Sequence, residues 1–553
     1  MASLRFYLFL CIAGALVVYL VGAALIDVMD IDSSHYAEMS REIKETGDYL
    51  QIKNRTLDDY LDKPPLLFWI SSLFYSIFGV STFTFRLPAI LISFLGAYSV
   101  FRFIKLFHDR DTGLIAAVVL LTSQSYFLYH HNILTDTLLA NLTIFSIWQL
   151  SAYLKNRKWY YFLGAFTGMA LGMLAKGPLG LMVPIAGFSV HFIVKRQWRN
   201  FIRWEWLAGA ILILVILSPM VIGLYGQYGD LGVQFFFWTQ SFGRLTGQSH
   251  WYDQSSPFYF VHTFAWFMLP WTIFAIIGLI KNTRAMFTKP GKSTSFPEAI
   301  SAGGFLISFL ALSLSKYKLP QYIFVLIPLA AAFTAPVIRD SLHLFTDSTR
   351  VRWYKFSVYF FSGLYLILAL SVLIFVFPRH SLTSWILLIA GLLIIFIFIY
   401  HRRFIGIRTI LPLAFSAIIV NLILNLHFYP NLLMYQPGIQ IAKEWNTRAD
   451  GSANLYCYHY HSPALDFHLG FAPPILNERK VNRMAEEGRE FWLVTDENGL
   501  QSLDDSIIGT KIDFKAFPIQ ALSLKFLDNR TRQQVIHRNY LVKIIKSGRD
   551  VFQ

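Results

Sequence analysis

The sequence predicts a polytopic α-helical membrane protein of about thirteen transmembrane helices with a small C-terminal α/β extracytoplasmic domain, and three observations carry that prediction. The 553-residue chain is 55% hydrophobic and only 15% charged, whereas soluble domains carry about 25% charged residues. Its first apolar run, Leu4 to Ile26, is about 23 residues long, enough to cross a bilayer. Its Lys and Arg gather in alternate loops between the later runs, as in chains that keep positive loops in the cytoplasm. Soluble, disordered and fibrous classes are thereby excluded. The net charge of +15 is read as an orientation signal, and nucleic acid is not an expected partner. Cys11 and Cys457 are the two cysteines, too few for a disulfide framework or a cysteine metal cluster.

Taken in order, the Leu4 to Ile26 run outlasts the roughly 7 to 15 apolar residues of a secretory signal, so it is read as an uncleaved first helix. The loop from Asp27 to Arg86 then holds a short helix over Ser34 to Thr46. It also holds an apolar stretch, Pro64 to Phe78, that is too short to span and is expected along the membrane surface. Further spans begin near Leu87, Thr112, Leu134, Tyr160, Pro178, Trp206, Phe258, Ala299, Leu319, Trp353, Ser384 and Phe404. Cations cluster at Arg102, Lys105 and Arg110, at Lys155, Arg157 and Lys158, at Lys195 to Arg203, at Lys281 to Lys292, at Arg350 to Lys355, and at Arg402, Arg403 and Arg408. These loops are cytoplasmic, and an odd number of spans places the 27–86 loop and everything after Tyr429 on the outer face. From Pro430 to Gln553 the composition becomes soluble, with strand-like runs at Asn454 to Tyr458, Phe491 to Val494 and Tyr540 to Ile545. The expected division is a membrane domain over 1–429, including the 27–86 loop, and an outer α/β domain over 430–553.

Charges that break the topology pattern are the informative ones. Lys63, Lys176, Arg244, Lys316 and Lys318 sit beside apolar segments on the outer side, where a cation at membrane depth costs about 2.5 to 3.5 kcal/mol. Several together point to one multiply charged anion. For Lys176, in a tight Lys-Gly-Pro turn between two spans, the alternative is snorkelling to the interface. Arg244 follows an aromatic stretch, Phe235 to Trp238, and can grip a phosphate with its planar fork. Tyr322, beside Pro320, is weighed between ligand contact and the aromatic belt. Asp32, after the first span, and Asp136, opening the fourth, could each be a helix N-cap. Beside cations on the same face they could instead orient or deprotonate an acceptor while the cations hold an anionic leaving group. Gly164, Gly168 and Gly172 are read as helix packing. His130 and His131 are adjacent and do not share a helix face. Neither a Walker-type phosphate loop nor a zinc-protease signature occurs.

Together these segments resemble the GT-C glycosyltransferases that use polyprenyl-phosphate sugars, most closely the aminoarabinose transferases that modify lipid A, which are related to protein O-mannosyltransferases. The resemblance covers about Val28 to Tyr429. It is carried by the acidic turn before Tyr36-Ala37-Glu38-Met39-Ser40-Arg41-Glu42, the Asp62-Lys63-Pro64 turn, Asp136, Lys176-Gly177, Phe236-Phe237-Trp238 leading to Arg244, and Lys316 to Tyr322. It implies that Asp32 is the principal catalytic carboxylate and Asp136 a second acid of the cavity, and that Lys63, Lys176, Arg244 and Tyr322, with Lys318 beside them, surround the carrier-lipid phosphate. It also implies a polyprenyl-phosphate sugar donor, an extracytoplasmic glycolipid or protein acceptor, and inversion at the anomeric centre. The implied location is the bacterial inner membrane, with the site and the C-terminus periplasmic. Asp62 and Ser241 stand where that family's pattern carries Glu and His, so a metal placed by such a pair would lose a ligand. The sequence requires no cofactor, and it does not decide whether a divalent metal takes part. A transporter of an anionic or lipid-linked substrate is the alternative, and it predicts inverted repeats and broken helices near the midplane. A non-catalytic scaffold displaying the outer domain is a weaker one.

Overall fold

The computed structural model describes residues 2–53, 60–239, 243, 256–288, 298–342, 349–378, 382–401, 407–448, 454–518 and 522–545. The first helix, α1 (Ala2–Leu25), shows how lipid and protein divide one apolar helix. Leu8, Cys11, Ala15, Val18 and Tyr19 are buried, while Phe6, Phe9, Val17 and Leu25 are exposed. An exposed face this apolar is stable only against hydrocarbon. Among the described residues eight helices are long and apolar enough to cross a bilayer, or ten if two bent pairs each count as one. Each of the thirteen spans expected from sequence has a helical counterpart. Three of them, Trp159–Lys176, Leu179–Val194 and Ile300–Ser313, fall short of that test, the first through its aromatic start and terminal Lys and the others through length.

After α1 come α2 (Asp32–Thr46) and the short apolar α3 (Leu66–Phe78), both where the sequence placed them. Helix α4 (Thr82–Phe107) returns into the bundle from a Ser81 cap that accepts from the Thr84 N–H at 3.1 Å. Its Arg86 is fully buried and donates to the carbonyls of Ile26, Asp27 (2.9 Å) and His131 (2.9 Å). A cation among carbonyls at helix ends is favourable. It pins the place where the chain leaves α1.

The two bent pairs break for identifiable reasons. Helices α5 (Arg110–Leu121) and α6 (Gln124–His131) meet at 50°, where the Thr122 and Ser123 hydroxyls donate back to Val118 O (2.6 Å) and Leu120 O (2.8 Å). Tyr259–Phe267 and Thr272–Thr288 meet at 118° around Pro270, which has no N–H to continue a helix. The two breaks satisfy each other, because Gln124 N–H donates to Leu269 O at 2.9 Å.

Helices α7 (Thr135–Asn156), α8 (Trp159–Lys176) and α9 (Leu179–Val194) pack in sequence. The α8 glycines are a packing device, as expected. A Cβ on Gly164 would strike Gln149, and one on Gly168 would strike Phe145, both on α7. A Cβ on Gly180 would lie 2.4 Å from Gly172 C.

The outer domain has a four-stranded sheet of order β1-β2-β4-β3. Its strands are β1 (Leu455–Tyr458), β2 (Phe491–Asp496), β3 (Ile508–Ala516) and β4 (His537–Ile544). β1 and β2 pair in parallel, and the other neighbours are antiparallel. Helices cover both faces: Glu478–Glu486 packs Val481 against Phe491 and Val542, and Pro437–Arg448 packs Ile441 against Cys457 and Leu541. Ala464, Phe467, Phe517 and Phe526 of this domain join the core of the membrane bundle.

Candidate active site

Five chain segments bring charged or polar side chains to one cavity at one end of the helices. Asp32 is the first residue of α2, and the N-cap before it is Ile31, with no side-chain cap hydrogen bond. Asp136 likewise lies in the first turn of α7 behind Leu134, with no side-chain cap. The capping alternative for both carboxylates is therefore not what the structure shows. Asp32, Asp136, Lys63, Lys176 and Tyr322 all line the cavity, which encloses about 1300 Å³ of open space, mouth included.

The sequence places each group there for a local reason. Asp62 and Lys63 sit in the turn before α3, held by Pro64 and the Pro65 cap. Lys176 ends α8, and the chain turns at Gly177 with φ of 72°, a conformation a side chain would oppose. Tyr322 comes from the 3₁₀ segment Pro320–Leu326. The wall beyond the charges is apolar. Leu179, Met182, Val183 and Ala186 form a helical stripe on α9, facing Ile307, Ala311 and Leu312 of Ile300–Ser313. One end of the cavity suits a charged head and the other a hydrocarbon chain.

Electrostatically, Lys176 is balanced rather than stranded. Its ammonium pairs with Asp136 and lies 4.4 Å from the Tyr322 ring centroid, with the two charged side chains 12% and 3% exposed. A Lys–Asp pair at this depth is stable only because each charge answers the other. His35, one turn from Asp32, lies edge-on to Tyr60 with centroids 5.0 Å apart. Burial holds its imidazole below the usual range, against the opposing pull of Asp32, Asp62 and Asp466. Burial also pushes the Tyr36 phenol well above its usual range.

Not every expected residue arrives. Lys318 is buried in the turn before Tyr322 and does not line the cavity, where Ser315, Leu319 and Gln321 do. Lys316 is exposed. Arg244 and Ser241 lie outside the described residues. Asp62 and Tyr36, quoted in the family motifs but given no role in the site, also line the cavity. The signals were present, since Asp62 adjoins Lys63 and Tyr36 is one helical turn from Asp32. Ser308 and Ser315 had no comparable signal inside an apolar helix and its end. Among the described residues no group of three or more His, Cys, Asp or Glu is placed to hold a metal ion.

A bundle of apolar helices, two outer-loop helices over a charged cavity, and a small outer sheet domain constitute a GT-C glycosyltransferase fold. The whole chain superposes on ArnT from Cupriavidus metallidurans bound to undecaprenyl phosphate, with a TM-score of 0.74 over 97% of this chain and 98% of that one, at 19% identity. In sequence it is 27% identical over 300 residues to the undecaprenyl phosphate-alpha-4-amino-4-deoxy-L-arabinose arabinosyl transferase of Edwardsiella ictaluri, covering 53% of this chain and 52% of that protein. It is 28% identical over 312 residues to the same-named protein of Pseudomonas paraeruginosa, covering 54% of each. The chain thus spans about half the length of the relatives it matches. Residues 62–222 match the profile of the dolichyl-phosphate-mannose-protein mannosyltransferase family. The chain is a multi-pass membrane relative of the aminoarabinose transferases.

Proposed function

We propose that the protein is an inverting membrane glycosyltransferase that moves a sugar from a polyprenyl-phosphate donor to a glycolipid or protein acceptor on the periplasmic face of the inner membrane. The observation that carries this reading is a single cavity that joins carboxylates and cations at one end to an apolar wall at the other. That division matches a donor whose charged phosphate joins a sugar to a long hydrocarbon chain. In the reaction, an acceptor oxygen attacks the anomeric carbon while the bond from that carbon to the phosphate oxygen breaks. The electron pair leaves with the polyprenyl phosphate. Lys63, Lys176 and Arg244 stabilise the charge that grows on it, and Tyr322 supports Lys176. Asp32 orients the acceptor and takes its proton, while Asp136 keeps Lys176 charged and in place.

Broken helices are also a transporter feature. Here the breaks at Thr122 and Pro270 bond to each other and stay out of the cavity. The test is mass spectrometry of lipid A, other glycolipids and surface proteins from cells with and without the gene. Loss of one sugar mass from one acceptor class is expected. Unchanged glycans in every class would overturn the proposal.

A further inference from the structure

Helix α2 has two working faces. Asp32 and Tyr36 line the cavity, whereas Ser34, Glu38 and Arg41 fall on the other side of the same helix. That second face meets a short helix of the outer domain, Pro463–Leu469. Arg41, 4% exposed, pairs with buried Glu38 and donates to the carbonyls of Asp466 at 2.8 Å and Phe467 at 3.2 Å. These carbonyls belong to the electronegative end of the short helix. At its other end, Asp30 Oδ1 accepts from the Ala464 N–H at 3.1 Å and from Ser34 Oγ at 3.0 Å. An anion and a cation flanking Asp32 in sequence thus hold opposite ends of one outer-domain helix. Further ties run from Lys443 to Asp27 (2.6 Å) and from Gln436 Oε1 to the Asp30 N–H (3.4 Å).

We propose that the outer domain sets the position of Asp32 through Asp30 and Arg41, which are positioning residues for transfer and not ligands of the donor. The proposal rests on the reading of Asp32 as the acceptor-facing carboxylate. From the membrane side, the segment leading to Asp32 is held by Arg86 through backbone carbonyls alone. About its own axis α2 is fixed on one face by α3, where Tyr36 meets Phe68 with centroids 5.6 Å apart, and on the other by the outer helix. A reacting group displaced by about 1 Å loses on the order of a hundredfold in rate. Of the cations assigned to the donor phosphate, Lys63 stands in the turn before α3 and Lys176 at the end of α8, where its pair with Asp136 holds it independently of α2.

The test uses full-length Asp30→Ala and the double variant Glu38→Gln with Arg41→Gln, which removes the buried pair together. The milder Asp30→Asn and Arg41→Lys retain an acceptor oxygen and a charge, and they keep the test open if the stronger variants fail to fold. Undecaprenyl phosphate affinity is measured on purified protein. Transfer is read as the early rate of sugar mass appearing on the acceptor in cells lacking the native gene, at matched protein levels. The stronger variants should lose at least about tenfold in transfer with affinity kept within about threefold, and the milder ones should fall between them and wild type. Combined with Asp32→Asn, each should cost no more than about threefold further, because it acts through Asp32. Wild-type transfer in all four, parallel loss of affinity, or multiplying losses on the Asp32→Asn background would overturn the proposal. Wild-type protein that does not bind undecaprenyl phosphate, or Asp32→Asn that transfers normally, would instead reject the functional reading beneath it.

Discussion

At Asp32 the competing interpretations separate cleanly. Its neighbour Ile31 holds the N-cap position and its own side chain makes no cap bond, so replacing it should cost little local stability. Asp32→Asn should therefore accumulate normally and retain undecaprenyl phosphate affinity, while transfer falls by roughly 10² to 10⁴, the range of lost acid–base participation. A fall under about tenfold would mark a phosphate acceptor that needs no deprotonation. The Asp136–Lys176 pair calls for a different experiment. Lys176→Met alone strands a buried carboxylate, and breaking such a pair costs about 3 to 5 kcal/mol. The single variant should show a large drop in melting temperature, and Asp136→Asn with Lys176→Met should recover most of it. Affinity for undecaprenyl phosphate should stay low in both, since neither has the ammonium. Recovery of affinity along with stability in the double variant would leave Lys176 a purely structural residue.

At the scale of elements, what the sequence revealed follows from which residues carry a local signal. The spanning helices and α3 announced themselves through apolar runs, and α2 through its polar start after the first span. Strands β1, β2 and β4 were legible because each buries a run of apolar residues, including Phe491, Leu493, Leu541 and Val542. β3 escaped because it is an edge strand, largely exposed, with Lys511, Asp513 and Lys515 on one face. The cavity was half legible for a related reason. Lys63 and Lys176 were conspicuous beside apolar segments, but only folding shows that Asp136 neutralises Lys176, and that Lys318, two residues from Lys316, does not line the cavity. The outer helix Pro463–Leu469 also predicts a pH effect. His461 Nε2–H donates to Asp466 Oδ2 at 2.8 Å, and that bond raises the imidazole above its ordinary value despite partial burial. A raised histidine stabilises the fold at pH below its unfolded value of about 6.5, and the benefit is lost as pH rises through the folded value. His461→Gln should thus melt below wild type at pH 5.5 and alongside it at pH 8.5 in detergent. An equal deficit at both pH values would show that the bond matters without its charge.

For the whole molecule, the alternation of Lys and Arg between loops predicts a periplasmic C-terminus, so a C-terminal alkaline phosphatase fusion should be active. A fluorescent protein that matures only in the cytoplasm should be dark at the same position. The reverse pattern would invert the side assigned to every loop. The clasp between the α2 segment and the outer helix has a further bearing on how such proteins can be recombined. The short stretch from Asp27 to Arg41 is covalently part of the membrane half, yet its contacts tie it to Lys443 and to Pro463–Leu469. In the fold, then, the two distant stretches form one unit. A hybrid that joins the bundle of one relative to the outer domain of another would separate partners shaped for each other, unless the donor of the outer domain also contributes the loop after the first helix.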